Sequence, residues 1–208
     1  MRALVLYCHP RPDSYTAAVR DVILSELDEA GAEYRLRDLY EEGFEPVLSA
    51  TAHAAYEDKA RNQRGIETHV ADLEWCDTLV FVYPTWWYGL PAMLKGWLDR
   101  VLVPGVAFHM PDGPRAQIRP GLGNVRAIAV FTTCGASWWL TRVIGFPGKR
   151  TLLRGLRLMC ARRCRKLFVA HYLMDSSTQV SRAQHLDHVA QRMRRFAGQR
   201  PKAREVTA

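Results

Sequence analysis

The chain has 208 residues, 48% hydrophobic and 24% charged, with a formal net charge of +8, a balance that suits one soluble globular domain. No apolar run reaches the roughly 18 residues that a membrane-spanning helix needs, so no integral membrane protein is expected. The start, MRALVLYCHP, has no cleavage site, and five scattered cysteines argue against a disulfide framework and fit a reducing, cytoplasmic setting.

Residues 3–8 (ALVLYC) form an apolar run closed by His9-Pro10 and predict a first strand. Residues 9–16 (HPRPDSYT) form a loop in which Ser14 or Asp13 can cap the next helix. That helix spans 15–30, with Ala18, Val22, Ile23 and Leu27 on one face, and Gly31 ends it. Residues 33–39 alternate as a second strand. Residues 41–49 are irregular, 50–64 are polar and helix-prone, and 66–74 predict a helix that re-enters the fold. The run Leu79, Val80, Phe81, Val82 lacks alternation, as in a parallel strand covered on both faces, and Pro84 ends it. An aromatic loop follows, Thr85, Trp86, Trp87, Tyr88 and Gly89. Pro91 then opens a helix with Leu94, Trp97, Leu98 and Val101 at helical spacing.

Residues 103–123 predict a long loop rich in proline and glycine that contains His109. A fourth strand covers 125–132 and runs into Thr133, Cys134 and Gly135, and 151–160 reads as an amphipathic helix with a basic face. A fifth strand covers 166–172, and 181–196 closes the domain as a helix with Leu186, Val189 and Met193 inward. Residues 1–198 are expected to form one domain and 199–208 a flexible tail.

Strands alternating with helices imply an α/β fold, a five-stranded parallel sheet covered on both faces. In the order 2-1-3-4-5, the loops after strands one, three and four meet at one edge, the place where such sheets bind ligands. The first loop opens a helix, whose free amides and dipole favour an anion, with His9, Ser14 and Thr16 adding side-chain donors. It has neither G-x-G-x-x-G nor a nucleotide-hydrolysing G-x-x-x-x-G-K-[ST] pattern. The second loop, Pro84 to Tyr88, offers aromatic faces and amides to a planar heterocycle. The third, Thr132, Thr133, Cys134, Gly135, is small enough for close backbone approach. No His/Asp arrangement accompanies Cys134 to make it a nucleophile. Cys160 and Cys164 lack the further ligands of a zinc site, so no metal is expected. The basic excess, mostly in 142–166 and 192–204, is not interleaved with aromatics in a nucleic-acid-binding module, so no nucleic acid is expected as a partner.

An anion site, an aromatic clamp and a small loop at one edge describe a flavin mononucleotide-shaped site. The motifs also resemble a known family. Pro84, Trp86-Trp87-Tyr88, Gly89-Leu90-Pro91-Ala92, Leu94-Lys95-Gly96-Trp97 and Asp99-Arg100-Val101 match the central run of the NAD(P)H:quinone oxidoreductase (DT-diaphorase-like) family. His9 with Ser14-Tyr15-Thr16 is similar to its phosphate-binding turn, and Thr132-Thr133-Cys134-Gly135 to its Thr-Thr-Gly-Gly loop. The resemblance covers residues 1–135 well and the rest poorly.

It implies a flavodoxin-like three-layer α/β/α sandwich and a flavoprotein that takes a hydride from NAD(P)H and passes two electrons to a quinone-like acceptor in a ping-pong cycle. The flavin, FMN or FAD with FMN favoured by the compact first loop, would contact His9, Ser14, Tyr15, Thr16, Pro84, Thr85, Trp86, Trp87, Tyr88 and residues 132–135. A homodimer is implied. In eukaryotic-type members a Tyr and a His after the third loop assist proton movement; here 138–147 has neither. His109 is a candidate substitute, and residues 150–166 with Arg162 and Arg163 are candidates to hold the adenosine end of NADPH. Two other classes fit a flavin-binding chain: a regulatory subunit of a membrane transporter and an electron-shuttle flavodoxin.

Overall fold

A computed structural model describes residues 1–111, 113 and 117–198; the expected tail at 199–208 lies outside the described residues. Five parallel strands form the sheet: β1 (Arg2–Tyr7), β2 (Glu33–Asp38), β3 (Thr78–Pro84), β6 (Ala127–Thr133) and β7 (Arg165–His171). Their order is β2-β1-β3-β6-β7. This is the expected 2-1-3-4-5 topology, with two short strands, β4 (Phe108–His109) and β5 (Arg119–Pro120), intervening in the numbering.

Every residue of β3 is buried, which is why its sequence does not alternate. One face of the sheet meets α1 (Tyr15–Glu29) and α7 (Gln179–Gly198), where Ile23, Leu27, Val189 and Met193 close over Val5, Val80 and Ala129. A buried Glu26 joins these helices through paired bonds to Arg194 at 2.9 and 2.7 Å. The other face meets α3 (Glu67–Trp75) and α4 (Ala92–Val101), with Leu73, Leu94 and Trp97 against Leu79, Phe81 and Val130. Asp72 on α3 is shared by Arg35 and Arg37 of β2, which anchors the layer at the sheet's edge. The glycine of the Leu-Lys-Gly-Trp run has a packing reason: a Cβ on Gly96 would lie 2.2 Å from the Pro46 carbonyl oxygen.

Pro84 ends β3 as expected, opposite Thr133, where a missing N–H is harmless. Other boundaries differ from expectation. Pro91 sits just before α4 in extended backbone (φ −54°, ψ 147°). In the helix-prone stretch 50–64 only α2 (Ala50–Ala54) is helical. Beyond it side chains capture backbone: Asn62 Nδ2 donates to the carbonyls of Tyr56 and Pro104 at 3.0 and 2.9 Å.

The amphipathic helix expected at 151–160 is a graded structure. It begins as α6 (Pro147–Arg150), widens to a π-turn at Thr151–Gly155, and tightens to a 3₁₀ turn at Leu156–Met159. Leu152, Leu153 and Leu156 all reach the core, the inward stripe that the sequence predicts, and Gly155 weakens the regular helix between them. An unexpected helix, α5 (Trp138–Ile144), is capped by Ser137, whose Oγ accepts from the Leu140 amide at 3.2 Å, and stopped by left-handed Gly145. Its apolar residues face outward, so no inward stripe marked it in the sequence.

Candidate functional site

The loops that follow β1, β3 and β6 meet at the carboxyl end of the sheet, held together by threonines. Thr85 N donates to the Thr133 carbonyl at 2.7 Å. The Thr85 and Thr132 hydroxyls are 2.8 Å apart, and those of Thr16 and Thr133 are 3.4 Å apart. The His9 ring lies 6.3 Å from that of Trp86, tilted by 57°. Each contact joins loops distant in sequence, so the three predicted segments form one assembly.

In the first loop Ser14 is the cap of α1, its Oγ accepting from the Ala17 amide at 3.1 Å. The amides of Tyr15 and Thr16, first in the helix, have no intrahelical acceptor and point out of its positive end. His9 Nδ1 accepts from the Arg11 amide at 3.0 Å, and burial lowers the ring's pKa, so the neutral ring carries its proton on Nε2. The Tyr15 side chain is engaged elsewhere. Its hydroxyl lies 2.9 Å from the Arg182 carbonyl and 2.8 Å from His185 Nδ1, and burial pushes its pKa up to about 12. Tyr15 therefore offers a ligand its amide, while its ring fastens the loop to α7.

The second loop is strained in the direction of exposure. Trp87 (φ 48°) and Tyr88 (φ 61°) are consecutive left-handed residues, and Gly89 N bonds the Trp86 carbonyl at 2.9 Å. Such a turn ordinarily takes glycine or asparagine. Holding bulky aromatics there costs about 1–3 kcal/mol per residue. The result is that Trp87 is 95% exposed, while Tyr88 turns inward as a pocket wall.

The third loop is buried and tightly determined. Cys134 N donates to the His171 carbonyl at 2.8 Å, and the Cys134 carbonyl accepts from Met174 N at 3.0 Å. The Cys134 thiol sits 3.8 Å from Thr141 Oγ1. At Gly135 a Cβ would come within 2.5 Å of an Asp175 carboxylate oxygen, so a larger residue would have to displace that side chain. All thirteen predicted binding residues lie in these three loops or on the strand and helix ends that flank them. His109 does not join them: β4 pairs with β5 on the stretch leading to Leu122, which bonds Met159 at the amino end of the sheet. Arg162 and Arg163 also lie at that end, immediately before Arg165 opens β7 opposite Ala127. A seven-residue strand is about 20 Å long, so the expectation that they serve a dinucleotide at this chain's own site is not met. The basic run is split between the two ends of the sheet.

Sequence reasoning missed one wall of the site. A narrow pocket, partly open to solvent, lies behind Tyr88, between the three loops and the outer face of β7. Phe146, Lys149, Phe168 and Tyr172 complete it. Phe168 and Tyr172 lie on the less covered face of an edge strand, and Lys149 reaches them only through the turn at left-handed Phe146. Lys149 was visible as part of the basic run, but nothing in its neighbours marked it.

Three comparisons bear on the site. A family profile described as a flavodoxin-like fold matches residues 1–196. The ribosyldihydronicotinamide dehydrogenase [quinone] of Rattus norvegicus is 31% identical over 158 residues, 68% of this chain and 67% of that protein. Against the similarly named proteins of Pongo abelii and Mus musculus the match spans about half of their length, 54% in each case. The NAD(P)H:quinone oxidoreductase from Methanothermobacter marburgensis superposes with a TM-score of 0.76 at 22% identity, over 98% of this chain and 99% of that one. An FMN-dependent NADH-azoreductase from Bacillus anthracis, solved with FMN, superposes with a TM-score of 0.74 at 17% identity, over 94% and 99% of the two chains. At these identities the structural matches speak to the fold.

Proposed function

The chain belongs to the flavodoxin-like fold family, and on that premise we propose that it is a flavin-dependent NAD(P)H oxidoreductase that reduces quinones or related acceptors by two electrons. The observation that carries the reading is the threonine-linked meeting of an open helix N-terminus with an exposed indole. An anion and a planar ring are the two ends of a flavin mononucleotide, and the donor set fits both. The amides of Tyr15 and Thr16, with the Ser14 and Thr16 hydroxyls, hold the phosphate. Trp87 covers one ring face, and the amides near Trp87, Tyr88 and Gly135 orient the polar edge and steady charge upon it. When bound, flavin supplies the hydride-accepting and electron-donating chemistry. The chain's part is to bind, orient and shield.

FMN is favoured over FAD because the first loop is short and compact. The rat relative's name supports a quinone as acceptor and gives ribosyldihydronicotinamide, a reduced nicotinamide, as donor, and the name of the Methanothermobacter neighbour supports NAD(P)H. Residues 1–198 act as one flavin-binding domain, and two copies pair. Exposed apolar side chains, Trp87 and the α5 residues Trp138, Trp139 and Val143, support that pairing. No helix among the described residues is long and apolar enough to cross a membrane. A cytoplasmic setting is part of the proposal, supported by five free, buried cysteines.

The test is an anaerobic visible spectrum of the purified protein before and after NADH. Flavin absorbance that bleaches on addition, and returns on adding a quinone, is the expected result. A colourless protein that takes up neither FMN nor FAD ends the reading.

A further inference from the structure

Nothing in the proposed chemistry uses Lys149. It is half-buried in the pocket behind Tyr88, with Nζ 4.5 Å from the centre of the Phe168 ring and 5.2 Å from that of Phe146. No carboxylate pairs with it among the described residues. The charges that reach it are those of Lys166 and Arg154, both positive. A partly desolvated ammonium without a counter-ion is costly to hold. Aromatic faces offset part of that cost and leave the charge unneutralised.

The threonine hydroxyls in the pocket are already engaged. The Thr85 and Thr132 hydroxyls face each other at 2.8 Å, and Thr141 donates to the Ser137 carbonyl at 2.9 Å. The remaining wall is largely aromatic, with Tyr88, Phe146, Phe168 and Tyr172. The pocket is narrow and partly open to solvent, so it seats a ring edge or a charged substituent and leaves the rest of an occupant outside. Thr85, Tyr88, Thr132 and Cys134 belong to both this pocket and the flavin-type loops, so an occupant here adjoins the reacting centre.

We propose that this pocket is a subsite for an acceptor that carries a negative charge, a small reducible ring bearing a carboxylate or sulfonate, and that Lys149 selects it. The inference rests on the functional reading above, deepening it to a substrate class. Lys149 acts in specificity: it pairs with a substituent and takes no part in electron transfer. The neighbouring cations sharpen the preference, because they raise the local positive potential while none of them lines the pocket.

The experiment uses the flavin-loaded protein with two acceptors of similar size, neutral menadione and anionic 1,2-naphthoquinone-4-sulfonate. For Lys149→Met, kcat/KM for the sulfonated quinone is expected to fall about tenfold, mainly through KM, while menadione stays within about twofold. Lys149→Arg should recover most of the loss. Arg162→Met, which removes the same charge at the far end of the sheet, should change neither. In parallel, calorimetry with the non-reducible 2-naphthalenesulfonate should show Kd rising about tenfold in Lys149→Met. Equal losses on both quinones, an unaltered sulfonated quinone, or an unchanged sulfonate Kd in folded Lys149→Met would overturn the proposal. If the wild type reduces neither quinone, the functional reading fails, and calorimetry alone decides whether the pocket takes an anion.

Discussion

The two ends of the sheet are built from the same strands and finished in opposite ways. At the amino end, side chains close the backbone. Asn124 Nδ2 bonds the carbonyls of Leu73 and Cys76 at 2.9 and 2.8 Å. The Asp77 carboxylate accepts from Arg2 N and Thr78 Oγ1, and its carbonyl from Arg126 N at 2.8 Å. At the carboxyl end, helix amides stay open, a tryptophan stands in solvent and a lysine has no acidic partner among the described residues. One end closes its polar groups within the fold, and the other leaves some of them open. The difference teaches that polar residues at strand ends are read by where their hydrogen bonds go.

The comparison can be broken experimentally. Asn124→Ala should cost about 2–3 kcal/mol, because it leaves carbonyls unpaired, and should leave flavin affinity unchanged. Urea unfolding and a flavin titration measure the two; weakened flavin binding would mean the ends are not separable.

The next effect is acid sensitivity at the carboxyl end, where the His171 and His185 rings lie 4.7 Å apart beside Tyr15. Burial lowers both pKa values, that of His185 to about 4. The folded state thus prefers neutral rings, and the unfolded chain, with histidine pKa near 6.5, binds more protons in acid. Their contribution is complete above about pH 6.5 and is lost as pH falls towards 4. Discounted for partial solvent access, the loss is about 2 kcal/mol. His185→Gln should flatten this part of the stability profile, and an unaltered slope would discard the assignment.

Ser14→Ala combined with Thr16→Ala should weaken flavin binding about tenfold while reducing stability by about 1 kcal/mol through the lost cap. Full flavin retention would move the phosphate elsewhere. The smallest effect has two signs. Trp87→Gly should raise stability by up to about 1 kcal/mol, because glycine accepts the left-handed backbone, and should still reduce flavin retention. If both moved together, the exposed indole would be part of the fold.

These residues also show what the sequence made legible. The strands were readable because apolar runs end at proline, glycine or small polar residues, and the three loops because each carries its own local chemistry. Their convergence followed from the handedness of crossovers. Helix α5 escaped notice because its apolar residues point outward. The pocket escaped because Lys149 meets Phe168 and Tyr172 through a turn at Phe146, a contact no local pattern records. His109 looked equivalent to the loop residues in one dimension and lies at the other end in three.

The cysteines add a consequence of their own. All five are free and buried. Cys8 and Cys134 sit just past β1 and β6 at the carboxyl end, while Cys76 and Cys164 sit just before β3 and β7. A thiol reagent reaches each sulfur only when its surroundings open, so the order of alkylation under native conditions times the breathing of each end separately. The chain thus carries a pair of clocks. A ligand seated across the threonine-linked loops should slow the hands of one, leaving the other to run at its former rate.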